Sequence, residues 1–403
     1  MVNLTMAMGT ADRGETCFSI EPLIPEEASK HRSDLNDLAM ELSSASRELA
    51  VALPEAIRAP LSCLVRSMEC HYSNVIEGHD THPIDVERAL RQDFSADPVK
   101  RDLQIEAVSH IEVQKWLDEG ELELDPLAPD ALREIHLRFC QGLPEDMLVQ
   151  TDHKGELVRT VPGEFRSGFV QIGKHIPPSP GAVPRLLDHM HRMYGMQGKV
   201  GSVLAVACAH HRLVWVHPFA DMNGRVSRMV ASAMLKDLVK SEGLWSASRG
   251  LARNADEYRA RLAAADDERA GGADGRGALS EARLAEFARF FLNCCIDQVS
   301  FMAQLVRPAE LRDRVMAWAA AEEARGTVLK GSDRVLWAIL MEGELDRGAI
   351  PEMLGVSDRQ ARKVTSKLLE LEALSSDGPR SPLRMHFPAT LASAWMPNLF
   401  PDR

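Results

Sequence analysis

No apolar run in the sequence approaches the roughly 18 residues of a membrane-spanning helix, and the longest, around SVLAVACAHH, is broken by histidines. The first residues, MVNLTMAMGTADRGETCF, lack the basic and then apolar layout of a secretory signal. The seven cysteines include no CxxC pair and show no regular spacing, so neither a disulfide framework nor a zinc site is expected. The adjacent Cys294 and Cys295 read as small buried hydrophobes. An excess of positive charge is also missing. The 47 Lys and Arg face 59 Asp and Glu, and the net charge of −12 excludes binding nucleic acid or anionic membranes through the whole surface. A local basic patch stays open. Low-complexity tracts are absent and alternating β-branched runs nearly so, which excludes wholesale disorder and a large sheet. What remains is a soluble, cytoplasmic, mainly α protein with no membrane contact.

What is present is helical periodicity. The 403 residues suffice for two or three domains, with ordinary apolar (45%) and charged (26%) content. Leu61, Leu64, Val65, Met68, Tyr72 and Val75 make one stripe, and Leu132, Ile135 and Phe139 begin another. Pro184 marks a helix start, where its missing N–H costs nothing. LAEFARFFLNCCIDQVSFMAQLV predicts a long helix packed on several sides, and RAGGADGRGALS a surface connection before it. In RSGFVQIGKHIPPSP, Phe169–Ile172 between Gly168 and Gly173 predicts a small β-hairpin that the following prolines end.

Beyond about residue 305 the character changes. Three short helices follow, with Gly355 in a turn and Ser357 as an N-cap, and then SSDGPRSPLRMHF as a wing. Ala361, Val364, Leu368 and Leu371 form an inward stripe that leaves Arg359, Arg362, Lys363 and Lys367 on the other faces. That layout suits a groove-reading helix, so residues 330–387 are expected either to bind DNA or to contact protein. The expected division is 1–100 as an N-terminal helical region, 101–304 as a catalytic core and 305–403 as a winged helix-turn-helix. Oligomeric state is not legible, and a homodimer is one expectation.

The chemistry concentrates in HPFADMNGRVSR, a loop between the apolar helix VGSVLAVACAHHRLVWV and the helix NGRVSRMVASAMLKDLV. Its groups therefore meet at a helix N-terminus, where free N–H groups and the dipole favour an anion. Asn223 and Gly224 allow successive amides to converge on a phosphate. Arg225 and Arg228, three apart, can fork onto a polyphosphate. Asp221 suits Mg²⁺ bridging phosphates, and His217 is the obvious base for a hydroxyl nucleophile.

These residues resemble the Fic family signature, His-x-Phe-x-(Asp/Glu)-(Gly/Ala)-Asn-Gly-Arg-x-x-Arg, at all positions but one. GEFRSGFVQIGKHIPPSP resembles the hairpin region upstream of the signature, and NADEYRARL the downstream helix that lines the nucleotide pocket through Tyr258. The resemblance covers residues 50–300 and implies a protein adenylyltransferase using ATP and Mg²⁺ on a Ser, Thr or Tyr hydroxyl of a target protein. It gives His217 as catalytic base, Asp221 as metal ligand, Phe219 as loop anchor at the nucleotide site, and Asn223, Gly224, Arg225 and Arg228 as phosphate binders. Phe169, Val170, Gln171 and Ile172 become the flap that pairs with the target by strand addition. Removal of AMP, transfer of another nucleotide, and a DNA-binding regulator that senses a nucleotide without turnover remain alternatives. Met222 is the departure, standing where the family carries Gly or Ala. Its side chain either points away or crowds a phosphate.

SNVIEG, Ser73–Gly78, ends the first apolar helix. Ser73 and Glu77 share a flank and Gly78 is a natural C-cap, leaving Glu77 at the negative end of a helix. The stretch resembles the Fic inhibitory motif, (Ser/Thr)-x-x-x-Glu-(Gly/Asn). That implies Glu77 pairs with Arg228 and takes the place of the ATP γ-phosphate; the bland alternative is an exposed Glu.

Overall fold

The computed structural model describes residues 11–151 and 157–400. Its helices are α1 (Arg32–Ala52), α2 (Glu55–Ile76), α3 (Pro83–Leu90), α4 (Pro98–Asp118), α5 (Pro129–Gln141), α6 (Val183–Gly195), α7 (Lys199–Val216) and α8 (Asn223–Val239). They continue as α9 (Ala247–Arg253), α10 (Ala255–Ala264), α11 (Glu281–Leu305), α12 (Pro308–Arg325), α13 (Ser332–Glu342), α14 (Ile350–Leu354), α15 (Asp358–Glu370) and α16 (Ala389–Trp395). The starts follow local rules. Proline occupies the first turn of α3, α4, α5, α6, α12 and α14, where no N–H is missed. Asp97, Ser246 and Ser280 cap α4, α9 and α11 with side-chain bonds, and Ser357 with Gln360 forms a capping box on α15.

Helix α7 is the axis of the core. From Val203 to Leu213 it is buried all round, enclosed by α1, α6, α8 and α11. Phe139, Phe219, Phe287 and Phe291 are fully buried around it, each contributing about 1.5–3 kcal/mol. Helix α2 packs on α4 and α9 and touches α8, so its C-terminal turn arrives at the α8 N-terminus.

Two small sheets complete the chain among the described residues. Strands β1 (Val149–Thr151) and β2 (Leu157–Arg159) pair antiparallel. Strands β3 (Glu344–Leu345), β4 (Leu374–Ser375) and β5 (Leu383–Met385) form an antiparallel sheet in the order β3-β5-β4, beside α13, α14 and α15. This unit is not separate from the rest: one hydrophobic cluster extends from Ile20 to Leu399. Tyr72 on α2 donates its hydroxyl to the Leu399 carbonyl at 3.1 Å. Arg249 reaches the Asn398 carbonyl at 2.8 Å, and Glu87 on α3 accepts the Ala389 amide at 2.6 Å.

The hairpin expected at Phe169–Ile172 has a different form. A single antiparallel bridge joins Ile172 to His175 around Gly173 at φ 58°, and neither side extends into a strand. Pro177, Pro178 and Pro180 remove the amides that a longer ladder would need. The two-stranded pairing falls earlier, at β1 and β2.

Candidate active site

Two left-handed residues fold the signature loop. His217 caps α7 at φ 49°, ψ 63°, its amide bonded to the Leu213 carbonyl at 3.1 Å, and Met222 precedes α8 at φ 64°, ψ 8°. Such backbone is strained for residues with a Cβ and persists only where its surroundings over-determine it. Asn223 supplies one restraint, its Nδ2 donating to the Phe219 carbonyl at 3.0 Å and its Oδ1 accepting the Phe219 amide at 2.9 Å. The Phe219 ring stacks on His136 with centroids 3.9 Å apart. Arg166 supplies another. Its Nε donates to the His217 carbonyl at 2.7 Å, its backbone amide to Pro218 at 2.9 Å, and its remaining nitrogens to Gly168 and Pro178. The turn at 168–178 and the signature loop are thus held by one guanidinium.

The turn that ends α2 at Glu77–His79 sits on the α8 N-terminus. Gly78 at φ 87° bonds the Val75 carbonyl and His79 bonds Asn74, a Schellman closure that terminates α2. Glu77 Oε1 accepts from Arg228 Nη2 at 2.5 Å. Arg228 Nε donates to Ser73 Oγ at 2.8 Å, and Nη2 also to the Ser73 carbonyl at 3.0 Å. A Cβ on Gly224 would collide with Glu77 Oε1 and lie 3.2 Å from Arg228 Nη1. The carboxylate therefore lies against the first turn of α8, whose amides have no carbonyl partner within the helix. Burial opposes its charge, but Arg228 and Arg225 outweigh that and hold the Glu77 carboxyl below its usual range.

The titratable groups of the loop carry shifted proton affinities. Burial, with Arg166 and His175 nearby, lowers His217 to about 4, while a ring bond to the Val214 carbonyl works the other way. The imidazole is neutral at pH 7, and that bond leaves its other nitrogen as a base. Burial raises the Asp221 carboxyl against the pull of Arg225, whose Nη2 stands 3.8 Å away. Among the described residues no three His, Cys, Asp or Glu side chains cluster as a metal cage. A single carboxylate still fits Mg²⁺, which keeps most of its shell as water and phosphate.

Four of the expected residues, Met222, Phe219, Asn223 and Tyr258, are buried. Met222 is 2% exposed and packs into the core, which favours the reading in which its side chain points away from the anion cradle. Phe219 is fully buried and stacked on His136, as a loop anchor requires, and the Asn223 side chain bonds the Phe219 backbone within the loop. Tyr258 faces inward at 2% exposure, its hydroxyl 2.8 Å from His210 Nε2 and bonded to Arg228. It buttresses Arg228 from behind instead of lining an open pocket; burial pushes its phenol up to about 12. Phe169 and Ile172 are exposed, with Arg13 stacked 4.4 Å from the Phe169 ring. Val170 is half-buried and Gln171 bonds the Gly173 carbonyl at 3.0 Å.

Sequence reasoning missed Arg166, His79 and Glu106. Fully buried on α4, Glu106 binds Arg225 Nη1 through Oε1 and His79 Nδ1 through Oε2 at 2.6 Å. Arg166 lay inside a stretch already singled out, and a basic residue between two glycines was its available signal. Glu106 offered none, being one acidic residue in an amphipathic helix.

Comparison with known proteins agrees with this geometry. Residues 126–235 match the Fic/DOC family model. The "Protein adenylyltransferase Fic" of Drosophila melanogaster is 40% identical over 75 residues, and that of Aedes aegypti 39%. The matched stretch spans 18% of this chain and 15% of either relative. Among solved structures, a Fic family protein from Desulfovibrio desulfuricans aligns with a TM-score of 0.53 at 18% identity, over 90% of this chain and 98% of its own. Fic-1 from C. elegans aligns with a TM-score of 0.51 at 16% identity, over 69% of this chain and 74% of its own. At such identities the structures show the fold alone. The chain carries a Fic/DOC domain at its centre.

Proposed function

We propose that this Fic-family protein is an adenylyltransferase that moves AMP from ATP to a Ser, Thr or Tyr hydroxyl of a target protein, and that Glu77 holds it off. The observation that carries the reading is the convergence of neutral His217, Asp221, Arg225 and Arg228 on the α8 N-terminus, with Glu77 seated where phosphate would bind. In the reaction the target oxygen bonds to the α-phosphorus, the bond to the bridging oxygen of pyrophosphate breaks, and the hydroxyl proton passes to His217. Arg225, Arg228 and the first-turn amides of α8 bind phosphates and offset their charge. Asp221 would hold Mg²⁺, which supplies charge neutralisation between phosphates. Exposed Phe169 and Ile172 and their neighbours Val170 and Gln171 sit on the segment that Arg166 ties to the His217 loop, a position suited to seating the target chain.

Replacing Glu77 by Gly frees Arg228 and the cradle. A bias of ~3 kcal/mol leaves about 1% of molecules competent, so transfer by Glu77→Gly should exceed wild type by up to about 100-fold. Equal rates would remove the brake.

A second reading concerns the C-terminal unit, expected as a winged helix-turn-helix over 305–403; the order α13-β3-α14-α15-β4-β5 among the described residues supports it. A groove of about 750 Å³ along α15 carries Arg359, Arg362, Lys363 and Lys367 against two acidic residues, Asp358 and the Glu370 that pairs with Lys367. On a chain of net charge −12 this local basic face fits a DNA backbone. The full-length protein should bind duplex DNA with an affinity that falls steeply with salt, and Arg359→Glu/Lys363→Glu should abolish it; salt-independent or absent binding would leave α15 a protein contact.

A further inference from the structure

We propose that Glu106 is a positioning residue for the phosphate cradle, setting the Arg225 guanidinium with one carboxylate oxygen and anchoring the inhibitory turn through His79 with the other. The inference rests on the reading of the cradle as an ATP site, and concerns a residue outside the signature.

Glu106 is 0% exposed on α4, and Arg225, on α8, is 5% exposed. A buried carboxylate is tolerated only when paired and hydrogen-bonded. Here both oxygens are used, Oε1 by Arg225 Nη1 and Oε2 by His79 Nδ1. Burial alone would raise the Glu106 carboxyl; the His79 bond and the Arg225 charge overcome it and keep the group ionised. The pairing aims the guanidinium without consuming it. Glu106 takes Nη1, while Nη2 points towards Asp221 at 3.8 Å and the buried Nε has no hydrogen-bond partner. A planar fork fixed at one corner presents its other donors in a set direction, which anion recognition requires.

The His79 contact adds a second consequence. His79 follows Gly78, so one turn delivers Glu77 to Arg228 and His79 to Glu106. Both cradle arginines are thereby tied to the same short segment, one directly and one through Glu106. When the turn lifts, Arg225 keeps its orienting partner while Arg228 loses Glu77. That asymmetry lets Arg225 stay preset for phosphate whether the brake is on or off.

The test places Glu106→Gln in the Glu77→Gly protein and measures KM for ATP, kcat and thermal midpoint together, with Glu106→Ala beside it and ATP binding by calorimetry. Gln keeps the shape and loses the charge. A positioning role predicts KM and the ATP Kd raised about tenfold in the Gln variant, kcat changed less than about threefold, and a folded protein. Glu106→Ala should raise KM further. Unchanged KM and Kd, or losses that merely track a fall in thermal midpoint, would make Glu106 scaffolding and overturn the proposal. If Glu77→Gly binds ATP but transfers nothing, the transferase reading fails while the Kd comparison still decides on Glu106. If it binds no ATP, both fall.

Discussion

His217 meets neutral pH already deprotonated, because burial and the cation of Arg166 lower it to about 4. In the proposed role of base it loses function only when protonated, so kcat/KM of Glu77→Gly should be flat from about pH 5.5 to 8 and decline towards an acid midpoint near 4. A midpoint near the unperturbed histidine value of about 6.5 would show that the ring is solvated. Met222 gives a second case at this scale. Replacing it by Gly relieves roughly 1 kcal/mol of left-handed strain but forfeits about 1.5–3 kcal/mol of burial. Met222→Gly should therefore destabilise by about 1–2 kcal/mol in urea unfolding, with transfer by the Glu77→Gly background within a few-fold. A large gain in transfer would instead mean that Met222 crowds the phosphate. The signature was legible because its residues lie close together in the chain. Arg166 and Glu106 act across 51 and 119 residues, and no local pattern encodes such pairs.

At the scale of elements, α2 supplies the residues of the proposed brake. The Ser73–Glu77 spacing and Gly78 at the C-cap predicted a carboxylate at a helix end looking for a partner, and Arg228 is that partner. Ser73 adds two bonds to the same guanidinium. Removing its hydroxyl bond in Ser73→Ala should weaken the brake by about 0.5–1.5 kcal/mol, raising wild-type transfer roughly two- to tenfold. No rise would place the whole latch in Glu77. The flap shows where element reading fails. Phe169–Ile172 has the composition of a strand, but proline spacing and one guanidinium shape it into a bridged turn. The orientation of Tyr258 was not legible for a related reason, since a tyrosine on an amphipathic helix can face either side and here its hydroxyl finds His210 and Arg228 within.

Across the whole molecule, the packing that makes the site also makes it acid-sensitive. His110, His136 and His210 are buried, and burial lowers them to about 3, 4 and 3. The unfolded chain takes up these protons near pH 6.5, before the folded one does, so the stabilisation is complete above that value and lost as pH falls towards 4. Each group contributes up to about 1.4 kcal/mol per pH unit in that window. The urea midpoint should fall steadily from pH 7 to 4.5; a constant midpoint would show these rings solvated. The C-terminal unit shares the core through Tyr72, Arg249 and Glu87. The sequence marked where its character changed near residue 305, but a seam between α2 and residues 398–399 leaves no local trace.

The central claim is nucleotide transfer through His217 from a cradle that Glu77 closes. Its most direct test is label transfer to proteins of a cell lysate from ATP labelled at the α-phosphate, with Mg²⁺, by Glu77→Gly beside Glu77→Gly/His217→Ala. The account predicts labelled protein with the first and none with the second. Label that survives loss of His217, or no label from a variant that binds ATP, would contradict it.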